Sequence, residues 1–439
     1  MKSQRKQAEA PQARRHEAPQ ARRHEAPQAQ RHFDTVLIHG AESRREEAGA
    51  TLPPLYYSTA FEHESAEMME EVFSGKRPGQ IYSRLQNPTV EALERRITEA
   101  CRARGTLATA SGMSAITLSL LGLLKSGDEI VVGRYLFGLT YPLLARTFGD
   151  LGITAHFFDP RHPAEAERLI TPTTKALFLE AIANPAMVVP DLAAYGELCG
   201  GWGIPLVVDA TLLTPYLFDA ERLATDVALF SSSKYLAGPA SIVGGLIVDT
   251  GRFAWHRSDR FDFSDFRSAG PDAYLALLRK RLMAETGACL SPMNAFLQLL
   301  GLETLSLRME RHFSNAGKVA AFLRDHRRIE GVSFPGLQGD EFHELAKAQF
   351  NGNYGSVMAL HLKDKDACFR FLNRLGLIKR ATNLGDTKTI AIHPASTIYG
   401  TFWPDQQALM GVTDRMVRLS VGLEDPDDLL ADLDQALRP

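Results

Sequence analysis

The chain has 439 residues, enough for roughly two to three domains and a large core. Its 49 Lys and Arg nearly balance 52 Asp and Glu, a formal net charge of −3, so there is no electrostatic case for nucleic acid or an anionic membrane as partner. Four cysteines (Cys101, Cys199, Cys289, Cys368) lie far apart with no metal-type or redox-type spacing, which fits a reducing cytoplasm. No apolar run approaches the ~20 residues of a membrane span, and the start lacks the apolar core of a signal peptide.

Residues 1–32 read as a solvated tail. Glu-Ala-Pro-Gln-Ala-Arg-Arg-His occurs at 9–16 and 17–24, with a variant at 25–32. The recurring proline breaks any helix, and almost nothing apolar offsets ordering. One His per repeat is a weak metal signal, and no metal site is expected. Residues 33–75 read as an extended arm, because Leu52-Pro53-Pro54-Leu55-Tyr56-Tyr57 cannot stay helical.

Residues 76–290 alternate strand and helix. Tyr82 and Arg84 stand two apart in an extended stretch and can face one anion, although a solvated Arg fits equally. A helix follows at 90–103. A strand at 106–109 leads through Ser111-Gly112-Met113 into an apolar helix at 115–124, a turn whose free N–H groups suit an anion. Strands are expected at 129–132, 153–158, 176–180, 205–209, 227–231 and 243–248, with helices near 138–149, 190–202 and 218–224. This is the pattern of a mostly parallel sheet wrapped by helices. Residues 251–290 read as charged, helical and partly irregular. Residues 291–439 read as a smaller α+β domain: a long helix at 291–327, strands at 356–362, 389–393 and 415–421, and helices at 365–375 and 427–437.

Two strand ends carry the chemistry. The apolar run 227–230 ends in Ser231-Ser232-Ser233-Lys234. A desolvated lysine amine titrates low and forms a Schiff base with an aldehyde, while the serine hydroxyls suit a phosphate. Aldehyde plus phosphate describes pyridoxal 5′-phosphate. The run 204–208 ends in Asp209, a carboxylate at the carboxyl end of a strand, where it could hold a pyridine nitrogen protonated. Taken singly, a surface Lys and a capping Asp explain each; together they point to the cofactor.

From Phe33 onward the chain resembles the cysteine/methionine-metabolism family of pyridoxal-phosphate enzymes, which includes cystathionine γ-synthase, methionine γ-lyase and O-acetylhomoserine sulfhydrylase. The resemblance rests on Tyr82-Ser83-Arg84 with Asn87-Pro88-Thr89, Ser111-Gly112-Met113, Asn184-Pro185, Asp209, Ser231–Tyr235, His393-Pro394-Ala395-Ser396 and Arg418-Leu419-Ser420-Val421-Gly422. It implies a fold-type-I large domain of the aspartate aminotransferase kind with a smaller C-terminal domain. It implies that Lys234 carries the cofactor and shuttles protons, Asp209 holds the ring nitrogen, and Asn184 lies by the phenolic oxygen. Gly112, Met113, Ser231 and Ser233 would bind the phosphate, with Thr211 beside the cofactor. Tyr82 and Arg84 would complete that site from a neighbouring subunit, in a homo-oligomer expected to be a dimer of dimers. Arg418 would clamp the substrate carboxylate, helped by Ser396, with Tyr57 near the substrate.

The sequence departs from the family where leaving-group chemistry is decided. The ring that stacks on the cofactor is usually a Tyr; here it is Phe137, which cannot donate a proton, although Tyr141, Tyr82 or Tyr57 could substitute. A thiolate, whose conjugate acid has a pKa of about 8.5–10, benefits from a donor, whereas a carboxylate or halide needs none. Leu139 stands where methionine-preferring lyases often carry Cys, and Ala210 replaces a usual Asn. The expected reaction is γ-elimination of an acyloxy or halide group from a small L-amino acid, through quinonoid and β,γ-unsaturated intermediates. Replacement at the γ carbon on O-acetylhomoserine is the alternative. Methionine or cystathionine lyase activity is disfavoured, and a non-catalytic binding protein is opposed by the intact Lys234, Asp209 and Arg418.

Overall fold

The computed structural model of the protein describes residues 31–40 and 49–438. Residues 1–30 of the repeat tail therefore lie outside the described residues. Seven strands form the first sheet: β1 (Gly105–Thr109), β2 (Glu129–Gly133), β3 (Thr154–Phe158), β4 (Thr174–Glu180), β5 (Leu206–Asp209), β6 (Val227–Phe230) and β7 (Gly245–Asp249). Their order is β1-β7-β6-β5-β4-β2-β3. Only β7 runs against its neighbours; every other pairing is parallel. These strands are short, near-continuous apolar runs because helices cover both faces and leave no solvent side to alternate with. Thus β6 is buried throughout, as is β7.

A second sheet orders as β10-β11-β12-β9-β8, from β8 (Gly331–Ser333), β9 (Val357–His361), β10 (Lys379–Arg380), β11 (Ile390–Ile392) and β12 (Met416–Ser420). It is antiparallel except for β10 against β11. Its own apolar core includes Val319, Leu360, Phe371, Val417 and Leu433. The architecture is thus mixed α/β with a mostly parallel central sheet and a C-terminal sheet region, as expected.

Several local expectations are corrected. The arm begins as a helix, Phe33–His39, with Val36 and Leu37 buried, and a second helix runs Ala66–Phe73. The expected helix near 218–224 is a set of turns: Ala224 takes φ 47°, a left-handed conformation that ends any helix, and the helix lies earlier, at Thr214–Leu217. The helix expected over 291–327 is two helices, Pro292–Leu302 and Leu305–Arg324. Arg308 makes the break tolerable: its Nη2 donates to the terminal carbonyl of Gly301 at 2.6 Å, satisfying a helix-end acceptor. The short helices His343–Gln349 and Pro404–Leu409, and strands β8 and β10, were not anticipated.

Candidate active site

The parallel sheet gathers the functional side chains at one edge. Glu180 and Asp209 close β4 and β5 and are paired in register. Ser231–Lys234 follow β6, Ser111-Gly112 follow β1, and Phe137 lies in the loop after β2. Carboxyl ends of parallel strands form a crevice in such sheets. Here they open onto a cavity of ≈ 630 Å³. Its wall includes Gly112, Met113, Phe137, Asn184, Asp209, Thr211, Ser231, Ser233, Lys234 and Arg418, so ten of the sequence-derived candidates meet at one place.

The anion end is built from backbone. Ser111 caps the helix Gly112–Leu121: its Oγ accepts from Ser114 N at 3.0 Å, and its own N–H donates to Ser114 Oγ at 2.8 Å. That reciprocal box leaves the Gly112 and Met113 amides at the positive end of the helix dipole. Gly112 is needed for the approach: a Cβ there would meet Ser231 Cβ at 2.7 Å. Gly245 is tighter still, since a Cβ would meet the Ser111 carbonyl oxygen at 2.1 Å. Ser231 N donates to Thr211 Oγ1 at 2.8 Å, and Ser233 Oγ accepts from Gly244 N at 2.9 Å.

The charged end is desolvated. Burial, reinforced by the nearby Arg418 guanidinium and opposed by Asp209, brings the Lys234 amine down to about 8. Its Nζ donates to Asn383 Oδ1 at 2.6 Å. Asp209 is pushed up by burial and pulled back by Thr211, whose N–H donates to Oδ1 at 2.9 Å. Glu180 is pushed well up, first by burial and then by Asp209. Its carboxyl accepts from the N–H groups of Phe137 and Asn184, the latter at 3.1 Å. Arg418 is buried; Nη2 donates to Asn383 O at 2.6 Å, Nη1 approaches Asn184 Oδ1 at 3.4 Å, and Nε has no partner.

Sequence reasoning missed three residues here. Glu180 ends an apolar strand just as Asp209 does, so the same signal was available. Asn383 sits in an aperiodic loop with nothing to mark it. Tyr399 is fully buried, and its hydroxyl donates to Leu136 O at 2.6 Å and Asn184 O at 3.1 Å, tying together the loops that carry Phe137 and Asn184.

Four candidates stay outside the cavity. Ser396 bonds His393 Nδ1 at 2.8 Å and lines a neighbouring cavity of ≈ 250 Å³. Tyr57 is 73% exposed. Tyr82 is exposed, the Arg84 guanidinium lies 5.5 Å from its ring centre, and Arg84 donates to Ala284 O. No cluster of metal-ligating side chains occurs among the described residues, and no helix there is long and apolar enough to cross a membrane.

The residues fit pyridoxal 5′-phosphate on structural grounds: a helix N-terminus approached through glycine for the phosphate, a desolvated amine for the aldehyde, and a buried carboxylate beside them. Comparisons agree. Residues 34–438 match the family described as Cys/Met metabolism PLP-dependent enzyme. The chain is 36% identical to an O-acetyl-L-homoserine sulfhydrylase of Leptospira meyeri, over 92% of this chain and 96% of that one. It is 36% identical to an L-methionine gamma-lyase of Pseudomonas putida, over 92% and 97%. A solved structure of a putative O-acetylhomoserine (thiol)-lyase from Campylobacter jejuni, with N′-pyridoxyl-lysine-5′-monophosphate, superposes with a TM-score of 0.88 at 32% identity, covering 92% of this chain and 99% of that one. The chain therefore belongs to the Cys/Met metabolism family of PLP-dependent enzymes, and pyridoxal 5′-phosphate is its cofactor.

Proposed function

We propose that the enzyme acts at the γ carbon of a small L-amino acid whose γ substituent departs as a stable anion, an acyloxy group or a halide, with elimination as the outcome. The observation that carries this reading is the cavity wall above the site. Phe137 supplies a ring with no proton, and among this chain's described residues the wall contains no Tyr, His or Cys. A poor leaving group such as a thiolate would depart without a dedicated acid.

Bound in the cavity, pyridoxal phosphate supplies the electron sink for deprotonation at Cα. Arg418, buried and with Nε unpartnered, receives the substrate carboxylate as a bidentate fork. The substrate carboxylate then replaces the Asn383 carbonyl on Nη2. Lys234, neutral when its amine is released near pH 8, takes protons from Cα and returns them. Asp209 holds the ring nitrogen, and Asn184 holds the phenolic oxygen. Glu180 fixes the backbone at Phe137 and Asn184, the residues that would stack on the cofactor ring and meet its phenolic oxygen. Tyr82 and Arg84 do not line their own cavity and are exposed, which supports their service to a neighbouring copy's phosphate site in a homo-oligomer.

Replacement of the acetoxy group by sulfide, with acetate leaving, is the second reading, favoured by the relatives named as sulfhydrylases. Mass spectrometry of products from O-acetylhomoserine, methionine and a γ-halogenated amino acid, each with and without sulfide, tests both. Keto-acid release from the acyl or halide substrate without sulfide is expected. Turnover of methionine in preference to both would overturn the leaving-group assignment.

A further inference from the structure

Six cations from four stretches of the sequence converge in the C-terminal region. Arg327 and Arg328 follow the helix Leu305–Arg324, Lys363 follows β9, Arg370 and Arg374 lie one turn apart on the helix Lys365–Arg374, and Arg438 follows the helix Pro426–Ala436. All six are exposed, and all line one cavity of ≈ 330 Å³. The floor is apolar: Leu362, Phe371 and Leu437 are each at most 3% exposed. No residue of this cavity belongs to the cofactor cavity.

Among the described residues most of that charge has no carboxylate beside it. The single acid on the rim, Glu330, is held by Arg415 at 2.8 Å. Arg438 pairs with Asp434 at 2.9 Å, and Arg374 donates to the Arg438 carbonyl. Arg327, Arg328, Lys363 and Arg370 have no carboxylate partner among the described residues. Like charges one helical turn apart, such as Arg370 and Arg374, disfavour their own helix. A chain with 52 acids and 49 bases could have placed carboxylates here.

We infer that this cavity is a second ligand site, and that it takes a small polyanion with an apolar moiety, a nucleoside polyphosphate. Guanidinium forks match phosphate oxygens bidentately and stack on planar rings. The apolar floor receives the base, and the volume lies in the range of small-molecule sites.

Isothermal titration of the cofactor-loaded protein with ATP tests this, since the loaded cofactor already fills the phosphate cradle of the active site. Saturable binding of one ATP per chain is expected at low ionic strength. Arg370→Ala should weaken it about tenfold, as should the rim charge reversal Arg327→Glu, which touches no core residue. Both variants should keep the cofactor absorbance and turnover of the wild type. Tripolyphosphate should bind about tenfold more weakly than ATP, because it leaves the apolar floor bare. No binding of ATP, or binding undiminished in both variants, overturns the site. Equal affinity for tripolyphosphate and ATP overturns the assignment of a base to the floor.

Discussion

Glu180 and Asp209 are direct cross-strand partners on β4 and β5, so two carboxyl groups share the carboxyl edge of the sheet where the cofactor binds. Asp209 is the carboxylate proposed to balance a protonated ring nitrogen, whereas Glu180 anchors two backbone N–H groups. Asp209→Ala should therefore lower kcat/KM by at least about 100-fold, and Glu180→Ala by about tenfold through misplacement of Phe137 and Asn184. Steady-state kinetics at saturating cofactor distinguish the two. Equal losses would contradict the division of roles.

Arg418 lines the cavity, and its buried Nε has no hydrogen-bond partner among the described residues. Arg418→Lys keeps the charge and loses the fork. KM should rise on the order of 100-fold with a smaller change in kcat. An unchanged KM would place the carboxylate elsewhere.

Phe137→Tyr restores a phenol over the site. The ratio of kcat/KM for methionine to that for O-acetylhomoserine should rise by about tenfold or more. A constant ratio would detach leaving-group choice from this position.

The pH dependence of cofactor loading follows from Lys234. Only the neutral amine attacks an aldehyde, and burial brings its pKa from 10.5 to about 8. The rate of cofactor uptake by the apoprotein should rise with pH through a midpoint near 8, followed by absorbance. A midpoint near 10 would mean that the amine is solvated. Lys234→Ala should bind no cofactor covalently and turn over no substrate.

Asp249, fully buried, accepts from Trp255 Nε1 at 2.9 Å and Gly251 N at 2.9 Å, and burial pushes it up from 3.8 to about 7. An acid whose folded pKa is raised binds its proton more tightly when folded. Its stabilising contribution is complete below pH 3.8 and is lost as pH rises toward 7. The Tm of Asp249→Asn minus that of the wild type should become more positive from pH 4 to 7. A flat difference would show that the group does not titrate in the fold.

That Lys234 and Asp209 meet in one cavity was legible because doubly covered strands write themselves as apolar runs, and a charge closing such a run has few structural excuses. Glu180 closes its run the same way, at Leu177-Phe178-Leu179, so the same signal marks it. Asn383 and Tyr399 were not legible: one reaches Lys234 from 149 residues away, and the other is fixed by carbonyls more than two hundred residues distant. Periodicity reports which face a residue shows, not which loop it will meet. The overrun of 291–327 has the same origin, since the Arg308 contact that caps Gly301 leaves no mark in the apolar pattern.

The glycine contacts at positions 112 and 245 have a consequence for how this enzyme could diverge. With no room for even a methyl group between the helix start, Ser231 and the first residue of β7, the cofactor cradle is closed to variation. Leu139 and Val243, on the rim of the same cavity, are more than half exposed and face no such restriction. A lineage exploring new substrates would accumulate its changes along that rim, while descendants altered in the cradle would be lost before their chemistry could be selected.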